Sequence, residues 1–313
     1  MRVLAIVHGY PPKQNAGAEW MLHEMLKFLA GKGHTCEVAI KDSDFEFEGI
    51  KVSSLTRDMI DRADLIISHL KRAGLALNTC EYYRKPFVFI AHNSNYYHPV
   101  VVKNRDIGAG RFVYVVHNSE NIQKEMHYPN PSITVRPHVD LKRYKTKRGE
   151  RITLINLFER KGGKLFHELA ENMPDYKFLG VEGGYGKQES SFLKNISYMK
   201  NTPDAKKIYS QTRILLMPSQ YESYGRTGIE AMCSGIPVLA YPTPGLLESL
   251  SDAGIFCKTK AEFIEEIKRL DDEKYYKEVS VKCVERAKEV EKQTVKDLKT
   301  MELFFQNIIE HKV

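Results

Sequence analysis

Two apolar periods run along the chain. Short runs rich in β-branched residues, at 3–7, 35–40, 65–68, 87–91, 112–116 and 133–136, read as strands covered on both faces. Between the first two, Ala18, Met21, Leu22, Met25, Leu26 and Leu29 fall on one helical face, which Gly31 and Gly33 bring to a stop. The stretch 145–151 holds no apolar residue and predicts a linker, after which strands recur at 152–157, 176–181, 214–217, 237–241 and 255–257. Strands that alternate with amphipathic stretches predict an α/β chain with parallel sheets. The division expected is 1–145, 146–293 and a closing helix over 294–313. That helix is expected to begin at a cap, Thr294 with Asp297, and to present Val295, Leu298, Met301, Phe305 and Ile308 along one side.

Composition narrows the class. With 313 residues, 42% hydrophobic and 28% charged, the chain is long enough for two globular domains. No run of about 18 apolar residues suggests a membrane span. The first apolar run is too short for the core of a signal peptide and reads as a buried strand, so a cytoplasmic protein is expected. Five scattered cysteines, none in C-x-x-C spacing, argue for reduced buried thiols instead of disulfides or a zinc cluster. The net charge is +7, and residues 51–145 alone carry 15 Lys and Arg against 8 Asp and Glu, 15 − 8 = +7. An anionic partner for the first half follows as an expectation: a phosphorylated compound, an acidic membrane surface or nucleic acid.

The most informative segment begins where a strand ends at Met217. It reads Pro218-Ser219-Gln220-Tyr221-Glu222-Ser223-Tyr224-Gly225-Arg226, and Gly235-Ile236-Pro237 closes the helix that follows. Ligands of open α/β sheets bind beyond the carboxyl ends of strands. Glu222 on the loop and Glu230 about one turn into the helix are therefore candidates to face one ligand, since a carboxylate accepts two sugar hydroxyls at once and a helix start suits a phosphate.

Glu222 and Glu230, seven residues between them, resemble the E-x7-E motif of the retaining GT-B glycosyltransferases of family 4. The resemblance implies two Rossmann-like domains with parallel sheets facing a central cleft, and a C-terminal helix returning to the first domain. It implies that Glu222 contacts the donor sugar and Glu230 the nucleotide ribose, with Tyr224, Gly225 and Arg226 beside them. Gly17-Ala18-Glu19 resembles the family's first loop, where Gly17 would let backbone amides approach the donor. Thr243-Pro244-Gly245-Leu246-Leu247-Glu248 resembles its Gly-Gly-x-x-Glu turn, retaining Gly245. Val135-Arg136-Pro137-His138-Val139-Asp140 resembles the segment that ends the first domain. His92, which ends the strand 87–91, stands where the family often has a histidine near the anomeric carbon. The segment Asn15 to Trp20 and the compact first domain resemble phage-encoded members, some of which decorate modified DNA bases.

One position departs from the pattern. The family usually carries Gly-Arg-Leu-x-x-x-Lys-Gly, its Arg and Lys clamping the diphosphate, whereas this chain reads Ile155-Asn156-Leu157-Phe158-Glu159-Arg160-Lys161-Gly162. Lys161 is kept, Asn156 replaces the arginine, and Arg160 or Arg226 are the candidate substitutes. Asp42-Ser43-Asp44 matches a metal-binding D-x-D but sits in an acidic loop and reads as solvated.

The expectation is a metal-independent retaining hexosyltransferase that uses a UDP- or GDP-linked sugar as co-substrate and no other cofactor, with catalysis resting on Glu222, Lys161 and His92. Two alternatives stay open: an epimerase or hydrolase of nucleotide sugars on the same fold, and a non-catalytic module that binds them. The acceptor is open between DNA, lipid, protein and small glycan.

Overall fold

The computed structural model describes residues 1–94, 113–126, 130–184 and 186–311. The chain divides into two compact units. Residues Met1–Gln14, Ala18–His138 and Thr294–Val313 make the first, and Asn15–Gly17 with Val139–Gln293 the second.

The first unit is built on strands β1 (Arg2–Ile6), β2 (Thr35–Ala39), β3 (Asp44–Phe47), β4 (Ile50–Ser53), β5 (Leu65–His69), β6 (Phe87–Ala91), β7 (Val113–His117) and β8 (Ser132–Thr134). They lie in the order β3-β4-β2-β1-β5-β6-β7-β8, and all pairs are parallel except β3 with β4. Alternate residues feed two cores. Val3, Ala5, Val38, Ile67, Val88 and Ile90 pack with Met21, Leu22, Met25 and Leu26 of helix α1 (Gly17–Gly31). Leu4, Ile6, Ile66, Phe87 and Phe89 pack with α2 (Arg57–Arg62) and α3 (Ala73–Tyr83) on the other side, and Ile122 and Met126 of α4 (Glu120–Met126) join them. A strand with helices on both faces needs apolar residues at every position, which is why these runs are continuous.

The segment expected to be an acidic solvated loop is instead a hairpin. β3 pairs antiparallel with β4 across Glu48 and Gly49, both with positive φ (47° and 80°), the two-residue turn that matches strand twist. Phe45 and Phe47 alternate with Asp44 and Glu46, a period of two that the acidic composition disguised. Asp42 stays exposed, with 84% of its side chain accessible.

The second unit contains α5 (Leu141–Tyr144), β9 (Arg151–Ile155), α6 (Gly163–Asn172), β10 (Phe178–Val181), β11 (Ile196–Met199), α7 (Lys206–Tyr209), β12 (Thr212–Met217), α8 (Arg226–Met232), β13 (Val238–Ala240), α9 (Pro244–Leu250), β14 (Ile255–Phe256), α10 (Lys260–Arg269) and α11 (Glu273–Ile309). Its parallel sheet runs β11-β10-β9-β12-β13-β14. The edge strand β11 buries only Ile196 fully, with Met199 partly buried against Leu179 and Val181, so its apolar signal is weak.

Two boundaries differ from expectation. The break falls between His138 and Val139, not at 145, because Val139 and Tyr144 are buried in the second core. The polar stretch 145–151 is no linker: the amides of Gly149 and Arg151 bond to the carbonyls of Thr212 and Gln211. A Cβ at Gly149 would lie 2.0 Å from the Gln211 carbonyl carbon, so glycine is required there. Nor does a helix start at Thr294. α11 is continuous from Glu273, and Thr294, a buried polar position within it, bonds through Oγ1 to His138 Nδ1 at 2.8 Å. Asp297 meets the Arg136 guanidinium at 2.9 Å and so serves no cap. No described helix is long and apolar enough to cross a membrane.

Candidate functional site

β9 and β12 are neighbours, and the chain leaves β9 toward β10 on one side and β12 toward β13 on the other. Their carboxyl ends thus form a topological switch point, the usual place for a ligand in such a sheet. The loop after β9 carries Asn156 to Gly162 and the loop after β12 carries Pro218 to Gly225. A backbone bond from the Gln220 amide to the Arg160 carbonyl, 3.0 Å, ties the two loops together.

This arrangement joins Lys161 to Glu222. Lys161 Nζ donates to Glu222 Oε1 at 2.5 Å, and Ser219 Oγ donates to the same oxygen at 2.9 Å. The lysine side chain is 32% exposed and the glutamate 15%, so the pair sits at the surface of the crevice. Gly162 with φ 95° turns the chain from Lys161 into α6, and a Cβ there would strike Pro218 Cγ at 2.3 Å. Lys161 and Glu222 are held together by backbone that only glycine permits.

Glu230 is braced at both oxygens. Arg226 Nε lies 2.8 Å from Oε1 and Tyr209 OH donates to Oε2 at 2.8 Å. Burial and the adjacent Glu230 carboxylate push the Tyr209 hydroxyl well above its ordinary range, so it remains a donor. A carboxylate offers about four lone-pair sites, so Glu230 keeps acceptor capacity for a ligand hydroxyl while its rotamer is fixed. Gly225, with φ 86°, starts α8. Gly245 lets α9 approach the loop: a Cβ there would lie 2.1 Å from the Glu222 carbonyl oxygen.

Other expected residues are placed differently. Arg226 is 6% exposed and bound to Glu230 and, at 2.8 Å, to Tyr144 OH, so it braces the site and is no substitute diphosphate cation. Tyr224 is buried in the core, which removes its side chain from ligand contact. Arg160 is exposed. Gly17 opens α1, and nothing lies within 4 Å of where its Cβ would be, so no protein group forces glycine there. His92 belongs to the first unit. Burial pushes its imidazole down to about 3, and its Nε2 is hydrogen-bonded to His69 Nδ1 at 2.8 Å. Lys71 and Arg72 lie in the turn after β5, and Lys103 and Arg105, which add to the basic excess, fall outside the described residues. All five cysteines are free and buried, and burial pushes the Cys233, Cys257 and Cys283 thiols up to about 12, which removes them as nucleophiles. Ser219 and Tyr209, which orient the two glutamates, carried no signal of their own in the sequence.

Asn156 has a structural reason to be asparagine. Its φ is 72°, a left-handed conformation that Asn tolerates far better than Arg, and its Oδ1 accepts from the Phe158 amide and from Gln188 Nε2 at 3.3 and 3.2 Å. Gln188 Oε1 in turn accepts from the amides of Leu157 and Gly183 at 2.9 and 2.8 Å. Asn156→Arg is therefore expected to lower the melting temperature by several degrees, since strain and lost hydrogen bonds together cost about 2 kcal/mol. It is not expected to tighten nucleotide binding. Calorimetry showing a tighter complex with UDP would mean that the guanidinium is simply missing.

Residues 163–290 match the family described as Glycosyl transferases group 1, a span that includes Glu222, Glu230 and Gly245. No curated protein matches the chain. Among solved structures it is similar to Anabaena HepE in complex with UDP and glucose, at 15% identity over 98% of this chain and 100% of that one, with a TM-score of 0.77. It is similar to sucrose-phosphate synthase from Thermosynechococcus elongatus at 15% identity, 98% and 99% coverage and a TM-score of 0.76. A glycosyltransferase from Rickettsia africae follows at 14% identity, 98% coverage of both chains and a TM-score of 0.72. At these identities the likeness shows the fold: the GT-B arrangement of two parallel-sheet α/β domains with a C-terminal helix.

Proposed function

We propose that this glycosyltransferase is a retaining, family 4 type hexosyltransferase that moves a sugar from a nucleoside diphosphate sugar, UDP- or GDP-linked, to an acceptor hydroxyl. One observation carries the reading: the loops that leave two adjacent central strands pair Lys161 with Glu222, and the helix that continues the second of these loops carries a carboxylate, Glu230, braced at both oxygens. Glu230 would accept from the ribose hydroxyls and Glu222 from hydroxyls of the donor sugar. Lys161 would meet the diphosphate. HepE is solved with UDP and with UDP-glucose, which makes the uridine nucleotide the first donor to test.

In the transfer the bond from the anomeric carbon to the phosphate oxygen breaks and a bond to the acceptor oxygen forms on the same face. The acceptor proton leaves with the nucleoside diphosphate. Charge on the diphosphate grows as the bond breaks, so a fixed ammonium and oriented amides lower the barrier without a metal ion at the phosphates.

Glu230 gives the direct test of nucleotide binding. A hydroxyl bonded to a carboxylate contributes about 1.5–3 kcal/mol, so Glu230→Ala should weaken UDP about 10- to 150-fold. That variant also leaves the buried Arg226 charge without its carboxylate and will lose stability. Glu230→Gln keeps an acceptor for Tyr209, and it too should bind UDP at least tenfold more weakly. Titration in EDTA should give the wild-type affinity. Unchanged UDP affinity in both variants would remove Glu230 from the site.

A further inference from the structure

We infer that His8, Glu19 and His69 form a binding site for a divalent transition-metal ion in the first unit, a reading that does not rest on the donor site. β1 and β5 are adjacent in the first sheet, and the chain leaves β1 toward β2 on one side and β5 toward β6 on the other. His8 follows β1, His69 ends β5, and Glu19 lies in the first turn of α1. All three stand at the switch point of this sheet, the edge where α/β domains take ligands. No motif in the sequence joins them, because they are brought together from positions far apart in the chain.

One ligand atom from each residue lies within 4.8 Å of the others, and His8 Nε2 is 3.5 Å from Glu19 Oε1. Donors sharing one ion at bonds near 2.1 Å stand about 3–3.5 Å apart, so a closure of at most about 1.8 Å, divided between two side chains, completes the set. His8 is partly exposed and can supply its share of that movement.

The surroundings match a metal centre in two further ways. Glu19 is 0% exposed and lies in the first turn of α1 beside His8, so its carboxylate faces an imidazole and not bulk water. His69 Nδ1 is 2.8 Å from His92 Nε2. Metal-bound histidines almost always donate their second ring N–H to a carboxylate, a backbone carbonyl or water, and here the His92 imidazole stands in that place, which fixes the tautomer and aims the other nitrogen. With Nδ1 so engaged, Nε2 of His69 is the ligating atom and His92 the positioning residue. Two imidazole nitrogens and one carboxylate oxygen are borderline donors that suit Zn²⁺, Fe²⁺ or Co²⁺, and they leave coordination positions for water or for an oxygen of a bound molecule.

The test uses the full chain, stripped with EDTA and dialysed, with Zn²⁺ as the titrant in calorimetry and Co²⁺ as a spectroscopic probe. One ion per chain is expected, with visible d–d absorption from the Co²⁺ form. Glu19→Gln and His8→Asn should each weaken Zn²⁺ at least 100-fold, and His92→Asn by about 10- to 100-fold. Since Glu19 is buried, His8→Asn at a partly exposed position is the variant that keeps the test open if Glu19→Gln fails to fold. His34, whose Nε2 lies 2.9 Å from Glu302 Oε1 elsewhere in the unit, is the control for surface binding. Absence of stoichiometric Zn²⁺ binding would overturn the inference. So would a loss of binding in His34→Asn that equals the loss in His8→Asn, or a wild-type affinity in His8→Asn.

Discussion

Replacing Lys161 with alanine is expected to lower kcat for sugar transfer by two to three orders of magnitude while the protein still folds. Electrostatic contacts that strengthen as charge develops are worth about 2.7–4 kcal/mol, which is that factor in rate. Among the described residues of the two crivice loops, Arg226 is committed to Glu230 and Asn156 is neutral, so Lys161 has no cationic understudy beyond the exposed Arg160. Folding should be spared because Lys161 is one-third exposed and its single ion pair lies near solvent, where such pairs contribute little. Steady-state assays with UDP-glucose and GDP-linked donors, across a panel of labelled acceptors, read the effect. A variant with more than a tenth of wild-type turnover would remove Lys161 from the chemistry.

Glu222→Gln separates the two members of the pair. Without ligand, Lys161 is held by the Glu222 carboxylate at 2.5 Å, so part of its charge is already neutralised. The amide releases the ammonium, and UDP should bind the variant at least as well as wild type while transfer falls. Weaker UDP binding together with lost transfer would make the ion pair a requirement of the loop and leave Glu222 without a separate role at the sugar.

Much of the architecture was legible because burial on both faces writes continuous apolar runs. Leu65–His69, Phe87–Ala91 and Val113–His117 are buried at every position and stand out in the chain for that reason. Edge strands were not legible. Asp44–Phe47 and Ile196–Met199 have one covered face or less, and their charges and tyrosine mask the period. The polar stretch 145–151 misled for a related reason: it lies on the surface of the second unit but is fastened by backbone hydrogen bonds, to which composition is blind. At the site, Glu222, Glu230 and Lys161 could be named from spacing and resemblance. The division of labour between them could not, since Arg226 reads as a surface cation until Tyr144 and Glu230 are seen to enclose it.

Removal of residues 294–313 should unfold the first unit. Leu298, Met301, Phe304, Phe305 and Ile308 from the end of α11 are all buried in the core that also holds β1 and α1. Full burial of such side chains is worth about 1.5–3 kcal/mol each, so their loss together amounts to about 7–15 kcal/mol, as much as the whole stability of a typical domain. The same deletion takes Asp297 from Arg136 and Thr294 from His138, leaving polar groups that those bonds had satisfied. The remaining part of α11 keeps Tyr276, Val279, Cys283, Ala287 and Val290 in the core of the second unit, so the damage should be confined to one unit. Calorimetric melting is expected to show an early transition or aggregation in the truncated chain, with a later transition retained. Phe305→Ala offers a gentler version, with about 3–5 kcal/mol lost and a chain that remains soluble. A truncated protein that melts like the intact one, with Phe305→Ala equally silent, would mean that the helix end lies on the unit without holding it together.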